Sequence, residues 1–120
     1  MSELNIGGHK VLSMVESGTI PFEDTVVKGT LYYYKKDNVV HIDLNITWKT
    51  NMASNGSDTI SSVLPARLCP PTGQNIIYPP ATGQQCLVRL ETDGSIYISN
   101  RFSSALSSGV GGVWNYTYIV

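Results

Sequence analysis

Along Val39–Trp48 the chain reads VVHIDLNITW, and hydrophobic side chains fall on every second position: Val40, Ile42, Leu44, Ile46 and Trp48. Between them stand His41, Asp43, Asn45 and Thr47. A strand sends successive side chains to opposite faces, so this alternation predicts a β-strand with one face in a core and the other open to water or to a partner. At 3.6 residues per turn the same apolar positions would scatter around a helix axis. A second run, Thr25–Tyr34 (TVVKGTLYYY), has strand composition, with Gly29 marking a bulge. The polar link Lys35-Lys36-Asp37-Asn38 makes residues 25–48 a β-hairpin.

The rest of the chain supplies further strands. Lys10–Gly18 reads as a strand of weaker pattern, and Gly18–Asp24, which holds Pro21, as a loop. Thr50–Asp58 is a polar loop with Asn55-Gly56 at its tip, and Thr59–Leu64 is a short strand stopped by Pro65. Cys69–Gly83 carries Pro70, Pro71, Pro79 and Pro80. Proline has no N–H to give to a ladder, so this segment reads as loop or edge strand. Gln85–Glu91 and Ser95–Asn100 flank Thr92-Asp93-Gly94, and Asp-Gly between alternating segments signals a tight hairpin. After a Ser- and Gly-rich stretch at 101–112, Val113–Val120 (VWNYTYIV) forms a last strand. Seven or eight short strands with frequent turns and no helical period predict an all-β, antiparallel β-sandwich. Residues 1–10 read as a lead-in and 11–120 as one sandwich domain.

Composition narrows the function. With 120 residues the domain needs no disulfide or metal to hold it. Charged residues make up 14%, against a usual ~25%, so the surface is polar but weakly charged. A net charge of −1 without a basic run argues against a nucleic-acid partner. No apolar run approaches the ~20 residues that span a bilayer, so no membrane insertion is expected. His9 and His41 have no metal-ligand spacing, and no phosphate-binding Gly-rich loop or nucleophile motif occurs; neither a metal, a cofactor nor catalysis is expected. Cys69 and Cys86 either close the Pro-rich loop as a disulfide or stand as free thiols. In the absence of a secretory leader, free thiols are expected.

Two features point to chemistry. The first is the polar row of the central strand. His41 and Asp43 lie about 7 Å apart along one face. A neutral imidazole donates and accepts, and a carboxylate accepts, so together they serve both senses of hydroxyl hydrogen bonding, which suits a saccharide. The alternative is a plain solvated sheet face. The second feature is aromatic interleaving: Tyr32, Tyr33, Tyr34, Trp48, Tyr97, Trp114, Tyr116 and Tyr118. Such rings suit sugar stacking, subunit interfaces or a core. Trp48 continues the apolar face of its strand. Trp114, Tyr116 and Tyr118 share one face of the last strand while Val113 and Ile119 share the other. Bulk on both faces predicts burial by the core and by another subunit, with Trp114, Tyr116 and Tyr118 at a homotrimer interface.

The order of VVHIDLNITWKT, ISSVLP, a Pro-rich stretch, CLVRLETDGSIYIS and a closing VWNYTYIV resembles the C-terminal head domain of trimeric phage tail-fibre and receptor-binding proteins. Ile6-Gly7-Gly8-His9 is similar to the short Leu-Gly-Gly-His segments of fibre shafts, and Cys69-Pro70-Pro71 departs from the pattern. The resemblance covers nearly the whole chain. It implies a non-catalytic β-sandwich homotrimer on a virion tail, or encoded by a prophage and made in the bacterial cytoplasm. Its partners would be a host cell-surface glycan and the rest of the tail fibre or baseplate. In lactococcal phage heads the saccharide site is a His, Asp, Arg and Trp cluster. The resemblance therefore implies His41 and Asp43, with Arg89 and Trp48 as candidates for the other two roles. Other classes share the strand pattern: a purely structural trimerising tip, a carbohydrate-binding module of a secreted protein, or a trimeric sandwich of the tumour-necrosis-factor or complement-head type.

Overall fold

The computed structural model describes the backbone of residues 2–6, 9–13, 15–81 and 84–120, and the side chains of 15–76 and 86–120. The strands are β1 (Ser2–Ile6), β2 (His9–Ser13), β3 (Val15–Glu23), β4 (Val27–Lys36), β5 (Val39–Trp48), β6 (Ser57–Ile60), β7 (Gln74–Ala81), β8 (Gln84–Leu90), β9 (Ile96–Asn100) and β10 (Gly111–Ile119). β1 and β2 pair with each other in a two-stranded sheet, so the segment expected as an irregular lead-in contains a ladder of its own. The remaining strands form two antiparallel four-stranded sheets, ordered β10-β5-β4-β3 and β6-β9-β8-β7. The fold is the all-β sandwich expected from the alternation.

β5 behaves as its pattern dictates. Val40, Ile42, Leu44, Ile46 and Trp48 are buried, while the side chains between them reach the surface. Its inner row meets Val27, Leu31 and Tyr33 of β4 on one side and Trp114 and Tyr118 of β10 on the other. From the second sheet, Val88, Leu90, Ile96 and Ile98 complete the core. Trp48 and Trp114 sit side by side with ring centroids 6.1 Å apart and planes tilted by 54°, an arrangement that suits the charge distribution of aromatic rings.

This packing corrects the aromatic expectations. Trp48 is 1% exposed and Trp114 fully buried, so neither meets a ligand or a second subunit. Tyr118 is 6% exposed, and its hydroxyl donates to the Leu68 carbonyl at 2.6 Å. Tyr116 stacks on Tyr118 and packs against the core. The larger side chains of β10 face inward, Trp114 against Trp48 and Tyr118 beside Leu68, which lies on a 3-10 turn (Ala66–Leu68). Val113 and Ile119 are left outside, 46% and 62% exposed.

Two further expectations give way. β3 runs straight through Gly18 and Pro21, with Pro21 opposite Thr30, instead of ending in a loop. It is the edge strand of its sheet, and an edge tolerates a residue that cannot donate to one neighbour. Gly29 makes no bulge: it stays in register with Phe22 and Ile46. The Pro-rich segment, by contrast, forms the edge strand β7, and its register shifts between Tyr78 and Ala81, where Pro79 and Pro80 lack N–H groups. The β8–β9 turn matches the Asp-Gly signal, with Gly94 at φ +86° and the Glu91 N–H donating to Ser95 O at 2.9 Å.

The segments 51–56 and 101–106 are tied together through a buried side chain, besides the Met52–Leu106 bridge and the Ser54 hydroxyl bonded to the Phe102 carbonyl. The Asn100 amide nitrogen donates to the carbonyls of Met52 (3.2 Å), Ala53 (3.2 Å) and Ser104 (2.9 Å), and its oxygen accepts the Phe102 N–H at 3.0 Å. A buried amide with every group used fixes its surroundings. Cys69 and Cys86 are both free, and burial pushes the Cys86 thiol up to about 12.

Asp58 at the start of β6 lies against Asp24, whose carboxylate accepts the N–H groups of Val26 and Val27 at 2.8 Å each. Burial first, then Asp24, push the Asp58 carboxyl up to about 6. Burial raises Asp24 too, but the Asp58 proton and the two N–H groups outweigh it and hold Asp24 below its ordinary value. The folded state therefore binds the Asp58 proton more tightly than the unfolded chain does. That contribution is complete in acid, below the unfolded value of 3.8, and is lost as pH rises through about 6. Asp58→Asn, neutral at every pH, should raise the melting temperature at about pH 8, and the gain should shrink towards about pH 4.5. A pH-independent loss of stability in calorimetry would contradict the assignment.

Candidate functional site

The outward face of the β10-β5-β4-β3 sheet follows from the burial of its inward one. Once Leu31 and Tyr33 turn inward, Tyr32 and Tyr34 must turn out, and they are 43% and 41% exposed. The register sets Tyr34 opposite His41 and Tyr32 opposite Asp43. On the far side of β5, Thr117 faces His41 and Asn115 faces Asp43. Two cross-strand rungs thus carry an aromatic ring, a titratable group and a small polar group each.

His41 is held from both ring nitrogens. Nδ1 lies 2.8 Å from Thr117 Oγ1, and Nε2 lies 3.2 Å from Asp43 Oδ1. A carboxylate only accepts, so Nε2 carries the proton of the neutral ring and Nδ1 accepts from the threonine hydroxyl. The two groups expected to bracket a sugar separately therefore act as one hydrogen-bonded pair. Their side chains are 41% and 42% exposed. The imidazole engages one Asp43 oxygen, and the other has no hydrogen-bond partner among the described residues.

Further along the same face a groove of about 510 Å³ opens between Pro21, Phe22, Glu23, Lys28, Gly29, Thr30, Asn45 and Thr47. Its volume is that of a small-molecule site. Asn45 joins it to Asp43, two residues or about 7 Å away along β5. Gly29 lets β4 pack closely against its neighbours here. A Cβ there would fall 2.0 Å from the Asn45 carbonyl oxygen and 2.7 Å from Phe22 Cζ. The Phe22 ring occupies the space that a side chain at 29 would need. At the mouth, Lys49 Nζ donates to Glu23 Oε2 at 2.7 Å, and this ion pair holds the Glu23 carboxyl below its ordinary value.

Of the four residues expected at a saccharide site, His41 and Asp43 come together and the other two do not join them. Trp48 points into the core. Arg89 lies on the outward face of the opposite sheet, where its guanidinium covers the Tyr97 ring and its Nε donates to Glu91 Oε1 at 2.6 Å. Within one chain the sandwich separates it from His41. The residues that do flank the pair, Tyr32 and Tyr34, were visible in the sequence only as members of a tyrosine run. Their outward direction could be read there by fixing Leu31 as core. Thr47 was legible as a member of the polar row of β5, whereas Lys28 and Thr30 carried no signal beyond the glycine between them.

No protein-family model matches this sequence, and no curated protein matches it. Among solved structures, the chain aligns with a reovirus attachment protein, sigma1, determined in complex with alpha-2,3-sialyllactose. The alignment covers 98% of this chain and 85% of that one, at 12% identity and a TM-score of 0.42.

The close approach at Gly29 can be tested directly. Gly29→Ala forces a methyl group against backbone that two strands hold in place, so denaturant unfolding should find a loss of about 1–3 kcal/mol. Unchanged stability would mean that β4 and β5 are not packed this closely at Gly29.

Proposed function

We propose that this domain is a non-catalytic receptor-binding head that recognises a host cell-surface saccharide on the outward face of the β10-β5-β4-β3 sheet. The observation that carries the reading is the Thr117–His41–Asp43 hydrogen-bonded chain beside two exposed tyrosines. In this reading a sugar ring lays its apolar face on Tyr32 or Tyr34. Its hydroxyls bond the free oxygen of Asp43 and the amides of Asn45 and Asn115, and the groove at Gly29 takes a neighbouring residue of the glycan. A rigid sheet bears the site, so little ordering accompanies binding. Several carboxylates are engaged elsewhere: Glu16 with Arg67, Glu23 with Lys49, Glu91 with Arg89, and Asp93 with the Ser95 N–H. This supports binding over catalysis.

The setting we infer is the tip of a phage or prophage tail fibre or baseplate, with three copies of the head on one virion structure. A shallow site of this kind depends on several copies acting together. Val39, Val113 and Ile119 favour such an assembly: they are 41%, 46% and 62% exposed, and Val39 faces Ile119 across the β5–β10 ladder. Val113 and Ile119 lie on β10 and Val39 at the start of β5, whereas the tyrosines lie on β4. The subunit contact would then leave Tyr32 and Tyr34 open and reach Asn115 and Thr117, which lie between Val113 and Ile119. The competing reading is a purely structural trimeric tip, in which the whole face serves assembly.

A carboxylate–hydroxyl bond is charge-assisted and worth roughly 1.5–3 kcal/mol. Asp43→Ala should therefore weaken binding to host cells or to a glycan array more than tenfold, while circular dichroism stays unchanged. Full binding by the folded variant would remove this strand from the site. Loss of the trimer in light scattering, with glycan binding absent from the parent protein, would favour the structural tip.

A further inference from the structure

Building on the saccharide reading of the β10-β5-β4-β3 sheet, we propose that the groove beside Pro21 and Lys28 holds an acidic residue of the glycan, its carboxylate or phosphate group set against Lys28 and the hydroxyls of Thr30 and Thr47. Two rungs of the sheet line the groove. In one, Lys28 stands between Glu23 on β3 and Thr47 on β5; in the next, Thr30 stands between Pro21 and Asn45. One cavity of about 510 Å³ therefore brings an ammonium group, two hydroxyls and an amide together with the apolar ring of Pro21. Beyond Thr47 the first rung ends in Gly111. A Cβ there would come within 3.3 Å of Thr47 Oγ1, so the glycine leaves that hydroxyl uncovered.

The charges around the groove are unequal. Glu23 is its one carboxylate, and that group is already engaged. Lys49 Nζ donates to Glu23 Oε2 at 2.7 Å and to the Asp24 carbonyl at 2.8 Å. The bond from Lys49, then its charge, do most to hold the Glu23 carboxyl below its ordinary value, while burial opposes them and Lys28 contributes least. The Lys28 side chain is exposed and, among the described residues, makes no hydrogen bond or ion pair. Two lysines against one carboxylate leave a net positive charge at the groove. An ammonium on a flexible stem is a compact charge whose three donors turn towards either a carboxylate or a phosphate. Asp43, the negative group further along the face, lies four residues from Thr47 on β5, roughly 13 Å away. That exceeds the ~8 Å over which charges are screened at physiological ionic strength. An anionic group in the groove therefore meets Lys28 with little repulsion from Asp43. The glycan acquires a direction: a neutral sugar meets Asp43 and the tyrosines, and an acidic one lies in the groove.

The test is a heteronuclear NMR titration of the intact protein with glucose, glucuronate and glucose 6-phosphate, which share a ring and differ in the group at its sixth carbon. Saturable shifts of the Lys28, Thr30, Asn45 and Thr47 amides are expected with both anions, which should bind about fivefold more tightly than glucose. The preference should shrink in roughly 0.5 M salt. Tighter binding of glucuronate identifies a carboxylate ligand, and tighter binding of glucose 6-phosphate a phosphate. Lys28→Gln should abolish the preference, and Arg101→Gln, which removes the same charge outside the groove, should keep it. Equal affinity for glucose and the anions, a preference that survives Lys28→Gln, or no saturable shift of these amides up to roughly 50 mM anion would each overturn the proposal. Glucose shifts at His41 and Asp43 report on the saccharide site separately. Their presence without an anion preference overturns the acidic residue alone. Their absence beside a Lys28-dependent anion response removes the neutral-sugar site and leaves the anion site standing.

Discussion

The structure depends on the alternation of β5 between two strand neighbours. Its inner row is buried without exception, and β4 and β10 match it position for position on either side. A shift of one residue in either ladder would move Trp48 and Ile42 into water and turn His41 and Asp43 into the core. The hydrophobic free energy of the inner row, with Trp48 locked against Trp114, therefore fixes which polar groups face outward. The display of His41, Asp43, Asn45 and Thr47 is a consequence of core packing. So is the outward turn of Tyr32 and Tyr34, which follows from the burial of Leu31 and Tyr33.

How much of this could be read from the sequence depended on whether a local pattern had a single solution. β5 alternates strictly between apolar and polar, and its register and faces were legible. So was the Asp93-Gly94 turn, from which the pairing of Arg89 with Tyr97 follows. β10 had two solutions, because Val113 and Ile119 are apolar as well as Trp114 and Tyr118. The burial of Trp114 against Trp48 and of Tyr118 beside Leu68 leaves Val113 and Ile119 outside. Pro21 misled for a different reason. Whether a proline breaks a strand depends on whether that strand is an edge, and edge position belongs to the sheet and not to the segment. Gly29 marked a close approach and not a bulge, since the Phe22 ring that displaces a side chain there comes from another strand. For the site, the His41–Asp43 spacing was legible, whereas the link to Thr117 required the β5–β10 register.

The two outward faces differ in chemistry. That of the β10-β5-β4-β3 sheet combines exposed rings, amides and one hydrogen-bonded His–Asp pair with a groove. It suits a ligand with many hydroxyls and an apolar ring face. The opposite face carries Arg89 over the Tyr97 ring and paired with Glu91. Both rest on strands whose inner rows are fully packed, so both are presented rigidly. A weakly charged surface makes recognition depend on short-range hydrogen bonds and stacking, which discriminate by shape, more than on long-range attraction.

The central claim is that the outward face of the β10-β5-β4-β3 sheet is where a saccharide binds. A crystal structure of the domain grown with oligosaccharide released from the host surface tests it most directly. The account predicts a sugar ring over Tyr32 or Tyr34, hydroxyls within hydrogen-bond distance of Asp43, and the chain of the glycan running towards Gly29. Saccharide density confined to the loops at 50–58 and 101–112, with the His41–Asp43 pair solvated and unchanged, would contradict it.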